Sequence, residues 1–342
     1  MSGRGRGSLR AYLLTRLALT LPLLLLLLTA TFLLLRVAPG DPVTATLGER
    51  VSDTRAAQLR ASLGLDDPLW KQYGRYLADV AQGDFGRAIT TKRPVRETIS
   101  QQFPATLELT LAAMVVAVGV GLVIGALSAR FRDTPLDVGG RLLGIVLYAA
   151  PIFWLGILFQ LLFSVKLGWL PTGGRTAPFA EPRHLTGLYT VDALMTGDVH
   201  ALSEALRHLA LPALTLGLVI GGVFVRLVRV NMLQTLRADF VEAARARGIP
   251  ERDVVFGHAL KNALVPVVAV VGLQFALLLS GAVLTETTFT WPGLGKSLYD
   301  FLGDRDYTAV QGLVTFFACF VVAVSLLIDV VSAWIDPRIR YS

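Results

Sequence analysis

Six long apolar stretches divide this chain, and polar segments rich in Gly and Pro separate several of them. The stretches are residues 17–35, 109–129, 142–165, 209–225, 263–285 and 308–328, and none contains Asp, Glu or Arg. A bilayer core about 30 Å thick is crossed by roughly 20 helical residues, so each stretch meets or approaches the length of a membrane-spanning helix. The fourth is the shortest and is expected to extend at one end. The pattern predicts an all-α integral membrane protein with about six transmembrane helices.

The first stretch follows Arg4, Arg6, Arg10 and Arg16, like the basic start of a signal peptide. Its apolar part exceeds the about 7–15 residues of such a segment, and Arg36-Val37-Ala38-Pro39 makes a poor cleavage site. An uncleaved first helix is expected.

Lys and Arg accumulate in short cytoplasmic loops, which fixes an orientation. With the N-terminus inside, the inner segments are 1–16, 130–141, 226–262 and the tail from Ala333. They hold Arg130, Arg132 and Arg141; Arg226, Arg229, Arg237, Arg245, Arg247, Arg252 and Lys261; and Arg338 and Arg340. The outer loop 286–307 carries only Lys296 and Arg305 against Glu286, Asp300, Asp304 and Asp306. Both termini are expected in the cytoplasm.

Between the first two stretches, loop 37–102 is expected to be ordered and helical outside the membrane. Gly40-Asp41-Pro42 signals a turn. One short helix is placed from near Ser52 to Gly64. A second runs from near Pro68 to Gly83, with Leu69, Trp70, Tyr73, Tyr76, Leu77 and Val80 at helical spacing. Such a hairpin serves either as a surface for an external partner or as an amphipathic pair lying on the membrane. The outer loop 167–207, with Gly168, Pro171, Gly173, Gly174, Pro178 and Pro182, reads as irregular structure followed by a short segment over 191–206, with no evident chemistry.

Composition agrees with lipid as the solvent. Apolar residues are 54% of the 342 and charged residues 17%, against about 45–50% and about 25% in soluble domains. The net charge of +7 is explained by basic inner loops, without nucleic acid. Cys319 is the only cysteine, so no internal disulfide forms, and it reads as a small buried hydrophobe.

The inner segment 239–266 is the most informative. Asp239 is placed to N-cap a helix, with Glu242 three residues later as a variant capping box. Gly248 is placed to end that helix in the left-handed conformation. Pro250 suits the first turn of another helix, with Glu251 and Asp253 at its positive end. A helix of two turns is marginal alone and needs a surface. Phe240, Ala244 and Gly248 fall on one side by the i, i+4 rule. A DNA-reading helix–turn–helix is excluded by the flanking spans.

Glu242-Ala243-Ala244 followed by Gly248 resembles the EAA motif of binding-protein-dependent ABC transporter permeases. Pro266 matches its final Pro, at the longer spacing of the dipeptide/oligopeptide/nickel branch, and Val265 stands where Leu is usual. Other segments are similar to that branch: 38–42, 63–66 with 83–86, 103–109, 168–171, 208–213, 290–295 and 336–338. The resemblance covers nearly the whole chain and implies a type I permease fold. It implies that Phe240, Glu242, Ala243, Ala244 and Gly248 couple to a cytoplasmic ATPase. The implied partners are a second homologous permease, two ATP-binding subunits and an extracytoplasmic substrate-binding protein. The implied localisation is the cytoplasmic membrane. ATP and Mg would be bound by those partners and no cofactor by this chain. The expected organisation is 1–102 (tail, first helix, outer loop), 103–335 (five-helix core with coupling loop 239–266) and 336–342 (inner tail).

Several signals are set aside. Gly295-Lys296-Ser297 imitates the end of a phosphate-binding loop, but Thr290 stands where that pattern needs Gly. His184, His200, His208 and His258 are read in loops or at helix ends, without metal-ligand spacing. Ser164 and Ser280 have no His partner in a span, so no catalytic residue is assigned. Glu108 and Asp329 sit at expected span ends, which argues against a proton route. Gln160, Gln274, Ser280 and Thr285 either line a passage or bond between helices. The sequence names no substrate-binding residue. Peptides are the expected cargo, with nickel or another small solute as the alternative, and an ion-coupled secondary transporter as the competing mechanism.

Overall fold

The computed structural model describes residues 9–37, 53–62 and 64–335. The expected turn at 40–42, the motif segments 38–42 and 336–338, and Arg4, Arg6, Arg338 and Arg340 lie outside the described residues. The side chains of Ser280 and Asp329 lie outside them too.

The described chain is helical, with one isolated antiparallel bridge between Arg87 and Pro94. Helix α1 (Leu9–Val37) carries the first apolar stretch. Its Thr20, Thr29 and Thr31 hydroxyls each donate to the carbonyl four residues back, which satisfies them without water. The loop that follows holds α2 (Asp53–Ser62) and α3 (Leu69–Ala81). Then come α4 (Val95–Arg130), α5 (Pro135–Ala149) and α6 (Ile152–Phe159), the last continued by a wider π turn over Gln160–Lys166. Next are α7 (Tyr189–Thr196) and α8 (Val199–Thr235). The short α9 (Asp239–Ala246) and α10 (Glu251–Asp253) follow, then a π turn over Val254–Ala259 and α11 (Leu260–Ala263). The chain closes with α12 (Val265–Gly281), α13 (Val283–Thr288), α14 (Leu294–Gly303) and α15 (Tyr307–Ile335).

Among the described residues three helical segments are long and apolar enough to cross a bilayer: Val95–Arg130, Val199–Thr235 and Tyr307–Ile328. Two bent pairs raise the number to five, and α1 carries the remaining apolar stretch, with Ala18–Leu33 as its described apolar part. The fourth stretch extends at both ends, not one. The third is not a straight helix: it turns by 103° between Pro135–Ala149 and Ile152–Lys166. Pro151 disfavours the helical region for Ala150, which takes φ −69°, ψ 130°. The fifth bends by 52° between Glu251–Ala263 and Val265–Leu279, with Pro266 in the first turn of α12.

The chain packs as two units, one of Met1–Pro104 with Gly293–Ser342 and one of Ala105–Pro292. The core of the first gathers Ala88, Val95, Ile99, Leu294, Phe301, Ala309 and Leu313. Within this unit α3 is pinned on its aromatic side. The Tyr73 hydroxyl meets Thr29 Oγ1 at 2.6 Å and that of Tyr76 meets Thr315 Oγ1 at 2.7 Å. Phe32 packs between both rings, with centroids at 5.2 and 5.6 Å. Trp70, on another side of α3, is 77% exposed.

The second unit is built on α4 and α8. Its core includes Leu109, Ala113, Ala117, Leu216, Phe224, Val228 and Met232. The helices approach so closely that a Cβ on Gly217 would lie 2.6 Å from the Ala113 carbonyl oxygen, and only Gly fits there.

Candidate functional site

The helix pair after α8 forms where the sequence places it. Helix α9 ends in a Schellman turn. Gly248 has φ +73°, its N–H donates to the Arg245 carbonyl at 2.9 Å, and the Ile249 N–H donates to that of Ala244 at 3.3 Å. Pro250 then precedes α10 and supplies no donor where none is needed. Arg245 reaches across the turn to Glu251, with Nη2–Oε1 2.8 Å and Nε–Oε2 3.1 Å, so an ion pair ties the two helices together.

The start of α9 differs from expectation. Ala238, not Asp239, occupies the cap position, and no side chain caps the helix. Asp239 is the first helical residue, where its charge still favours the positive helix end, so the capping box with Glu242 does not form. The helix has two distinct faces. Val241 and Ala244 are buried in the core of the second unit, while Phe240 is 45% exposed and Glu242, Ala243 and Gly248 are exposed. Phe240 and Ala244, grouped by spacing, therefore do different jobs: Ala244 seats the helix and Phe240 faces outward.

A second constellation lies in the segment after α6, where the sequence shows no chemistry. Arg175 and Glu108 form a buried ion pair at 2.6 Å, with side chains 7% and 4% exposed. Arg175 also donates to the Gly187 carbonyl at 2.6 Å and lies 3.7 Å over the Tyr189 ring. The other Glu108 oxygen accepts from the Thr190 amide and hydroxyl, both at 2.7 Å. Glu108 sits within the continuous helix α4, which runs on beyond the apolar stretch that starts at Leu109. Nearby in this unit, Thr106 donates to the fully buried Glu286 at 2.7 Å, and Trp291 Nε1 to the Ala105 carbonyl at 2.9 Å.

Asp192 organises the same segment. Burial pushes its carboxyl upward, but the Thr186 hydroxyl and the amides of Leu185, Thr186 and Gly187 bond the charged form and hold it below the usual carboxylate value. Asp198 caps α8 by accepting from the Ala201 amide at 2.9 Å. The expected short segment over 191–206 is thus two helices, α7 and the start of α8, which meet at Gly197 and Asp198.

A third feature joins α5 and α8. Arg229 grips the fully buried Asp137 with two bonds of 2.6 and 2.8 Å, and Arg141 lies 3.6 Å from it. A cavity of about 530 Å³ opens beside them, with Tyr148, Gly222, Val223 and Arg226 in its lining.

Other expected positions shift. His200, the second residue of α8, sits at a helix end, whereas His208 lies inside the helix and is buried, with Nδ1 2.9 Å from the Glu204 carbonyl. Gln160 donates to the carbonyls of Thr172 and Thr288 at 2.7 and 3.1 Å, which makes it a tie between segments. Ser164 donates to the Pro171 carbonyl at 3.1 Å. Thr285 Oγ1 is buried, and among the described residues it has no hydrogen-bond partner.

Residues 121–341 match the family model described as "Binding-protein-dependent transport system inner membrane component", and residues 9–110 match that of its N-terminal part. The chain is 42% identical to the di/tripeptide transport system permease protein DppB of Pseudomonas aeruginosa, over 97% of this chain and 99% of that protein. It is 39% identical to the dipeptide transport system permease protein DppB of Alkalihalophilus pseudofirmus, again over 97% and 99%. With the probable D,D-dipeptide transport system permease protein DdpB of Escherichia coli it shares 43% identity over 90% of this chain and 91% of that one.

Proposed function

The chain belongs to the family of binding-protein-dependent transport system inner membrane components, and from that membership we propose that it forms one half of the pore of an ATP-driven importer of short peptides. The relatives are permeases for dipeptides, tripeptides and D,D-dipeptides, which supports peptides as the cargo. In this reading the chain sits in the cytoplasmic membrane with both termini inside, paired with a second homologous permease. Two ATPases bind below it, and a substrate-binding protein docks outside. ATP and Mg belong to the ATPases, and the permease itself performs no bond chemistry.

The observation that carries the coupling role is the two-faced α9. Val241 and Ala244 fasten it to the permease core, and Phe240, Glu242 and Ala243 remain for a partner. A short helix held by its own ion pair and turn moves as a rigid lever. Closure of the ATPases on ATP would push α9, and the tightly packed α8 would carry the displacement into the membrane. Copurification from the native membrane tests the reading: two ATPases, a second permease and a peptide-loaded binding protein are expected. Recovery of the chain without ATPases, together with peptide uptake driven by an ion gradient alone, would reject it.

A further inference from the structure

Within the first unit, α3, the turn after it and the start of α15 enclose a cavity of about 290 Å³. That is near the lower end of small-ligand sites, roughly 300 Å³ upward. Its polar lining is mostly committed. The Tyr76 and Thr315 hydroxyls bond each other, Arg75 pairs with Asp67 at 2.6 Å, and Asp84 accepts from the Gly86 amide at 2.9 Å.

Two lining groups are not committed. Gln311 is only 8% exposed, and among the described residues its buried Nε2 has no hydrogen-bond partner. Asp79 lines the same cavity, and among the described residues no cation pairs with its carboxylate. A buried amide donor without an acceptor calls for an explanation. Water would supply an acceptor for Gln311 and would solvate the half-exposed Asp79 carboxylate, but it brings no positive charge. A metal ion is a poor fit, because among the described residues no three His, Cys, Asp or Glu side chains converge. The complement of a carboxylate and an amide donor that line one cavity is a molecule bearing an ammonium and a carbonyl oxygen. The amino end of a peptide has that arrangement. Arg87, whose Nη2 donates to the Lys92 carbonyl at 3.2 Å, also lines the cavity and offers its remaining guanidinium donors to a carboxylate one or two residues away.

We infer that this cavity is a binding subsite of the permease for short peptides, with Asp79 receiving the α-ammonium and Gln311 donating to the first peptide carbonyl. The inference rests on peptide import as the function and adds a place on this chain where peptide is held.

The test uses the whole importer in nanodiscs, without its binding protein, and the photoreactive dipeptide photoleucyl-alanine. Labelling is expected in segments 72–87 and 308–315. Dialanine should compete and N-acetyl-dialanine, which lacks the ammonium, should not. Asp79→Asn is expected to cut labelling about tenfold, the scale of one lost charge-assisted hydrogen bond, and Gln311→Leu to cut it less. No labelling in these segments, equal competition by the acetylated peptide, or full labelling of Asp79→Asn would each overturn the subsite. ATP-driven dialanine uptake by the complete importer separates the two readings. Uptake with an unlabelled cavity keeps peptide import and removes the subsite, whereas no uptake of any di- or tripeptide removes both.

Discussion

Arg175 donates two hydrogen bonds to one carboxylate oxygen of Glu108, at 2.6 and 3.1 Å, across a sequence separation of 67 residues. The other oxygen of Glu108 holds the start of α7 through Thr190. The segment between α6 and α8 is thereby fastened to α4 by charges that are almost fully withdrawn from solvent. Both Glu108 oxygens accept hydrogen bonds, and Arg175 donates through Nε and Nη2, the kind of added bonding under which burial of an ion pair is tolerated.

Removing one partner leaves the other charge buried and alone. Arg175→Ala should destabilise the protein by about 3–5 kcal/mol, whereas the joint change Glu108→Gln with Arg175→Met should recover much of the loss. Thermal unfolding of the purified protein in detergent measures both. A single variant that melts like the wild type would show that the pair contributes nothing.

Asp192 makes the same segment sensitive to acid. Its carboxyl in the folded protein lies below the ordinary 3.8, through the hydroxyl and amide donors around it. A depressed folded value adds stability that is present in full above the unfolded value and is lost as pH falls through the folded one. Amide hydrogen exchange over 185–192 is therefore expected to stay slow at neutral pH and to accelerate, relative to the intrinsic rate, as pH drops below about 4. Asp192→Asn should show fast exchange already at neutral pH, with the acid-dependent change gone.

Gly217 marks the crossing of α4 and α8. A side chain there meets the Ala113 carbonyl and Val116, and backbone on one side leaves little room to yield. Gly217→Leu should cost more than the about 1–3 kcal/mol of ordinary overpacking and lower the yield of folded protein in size-exclusion chromatography. Gly119, with nothing within 4 Å of its Cβ position, is the control: Gly119→Ala should leave the elution profile unchanged.

The sequence reports local physics well and long-range pairing poorly. Helix ends at Gly64, Gly83 and Gly248 were legible because each has a positive φ that glycine adopts without strain. The bend after Ala149 was also readable in principle, since Pro151 restricts its predecessor, but hydropathy runs straight through it. The Glu108–Arg175 pair left no such trace: a lone Arg in a Gly- and Pro-rich loop looks the same whether it is solvated or buried. The i, i+4 rule groups Phe240 with Ala244, yet side-chain length and packing turn only Ala244 inward. The apolar Val241, one position from Phe240, was the available sign of which face is buried.

Gly248 is constrained by conformation and not by crowding. Its φ is +73°, and nothing lies within 4 Å of where a Cβ would stand. A residue that tolerates the left-handed region should therefore be accepted and a β-branched one should not. Gly248→Asn is expected to retain most ATP-driven peptide uptake in proteoliposomes. Gly248→Val should lose it by distorting the turn, at a local cost of about 1–2 kcal/mol, while membrane insertion stays normal. Equal uptake by the two variants would mean that the turn does not transmit the stroke.

The two faces of α9 separate stability from coupling. Val241 is fully buried and Phe240 is 45% exposed, although they are adjacent. Val241→Asp places a charge in the core and should prevent stable folding, seen as loss of protein from the membrane fraction. Phe240→Ala removes an aromatic ring that contributes little to the isolated chain, so its melting temperature should stay within about 2 °C of wild type, the shift expected below roughly 0.5 kcal/mol. In the assembled importer the same ring would be an anchor on the ATPase, and its truncation should cost about 2 kcal/mol or more of association. Copurified ATPase should then fall together with peptide-stimulated ATP hydrolysis. If Phe240→Ala retains its ATPase and its stimulated hydrolysis, the exposed face of α9 is not the coupling surface.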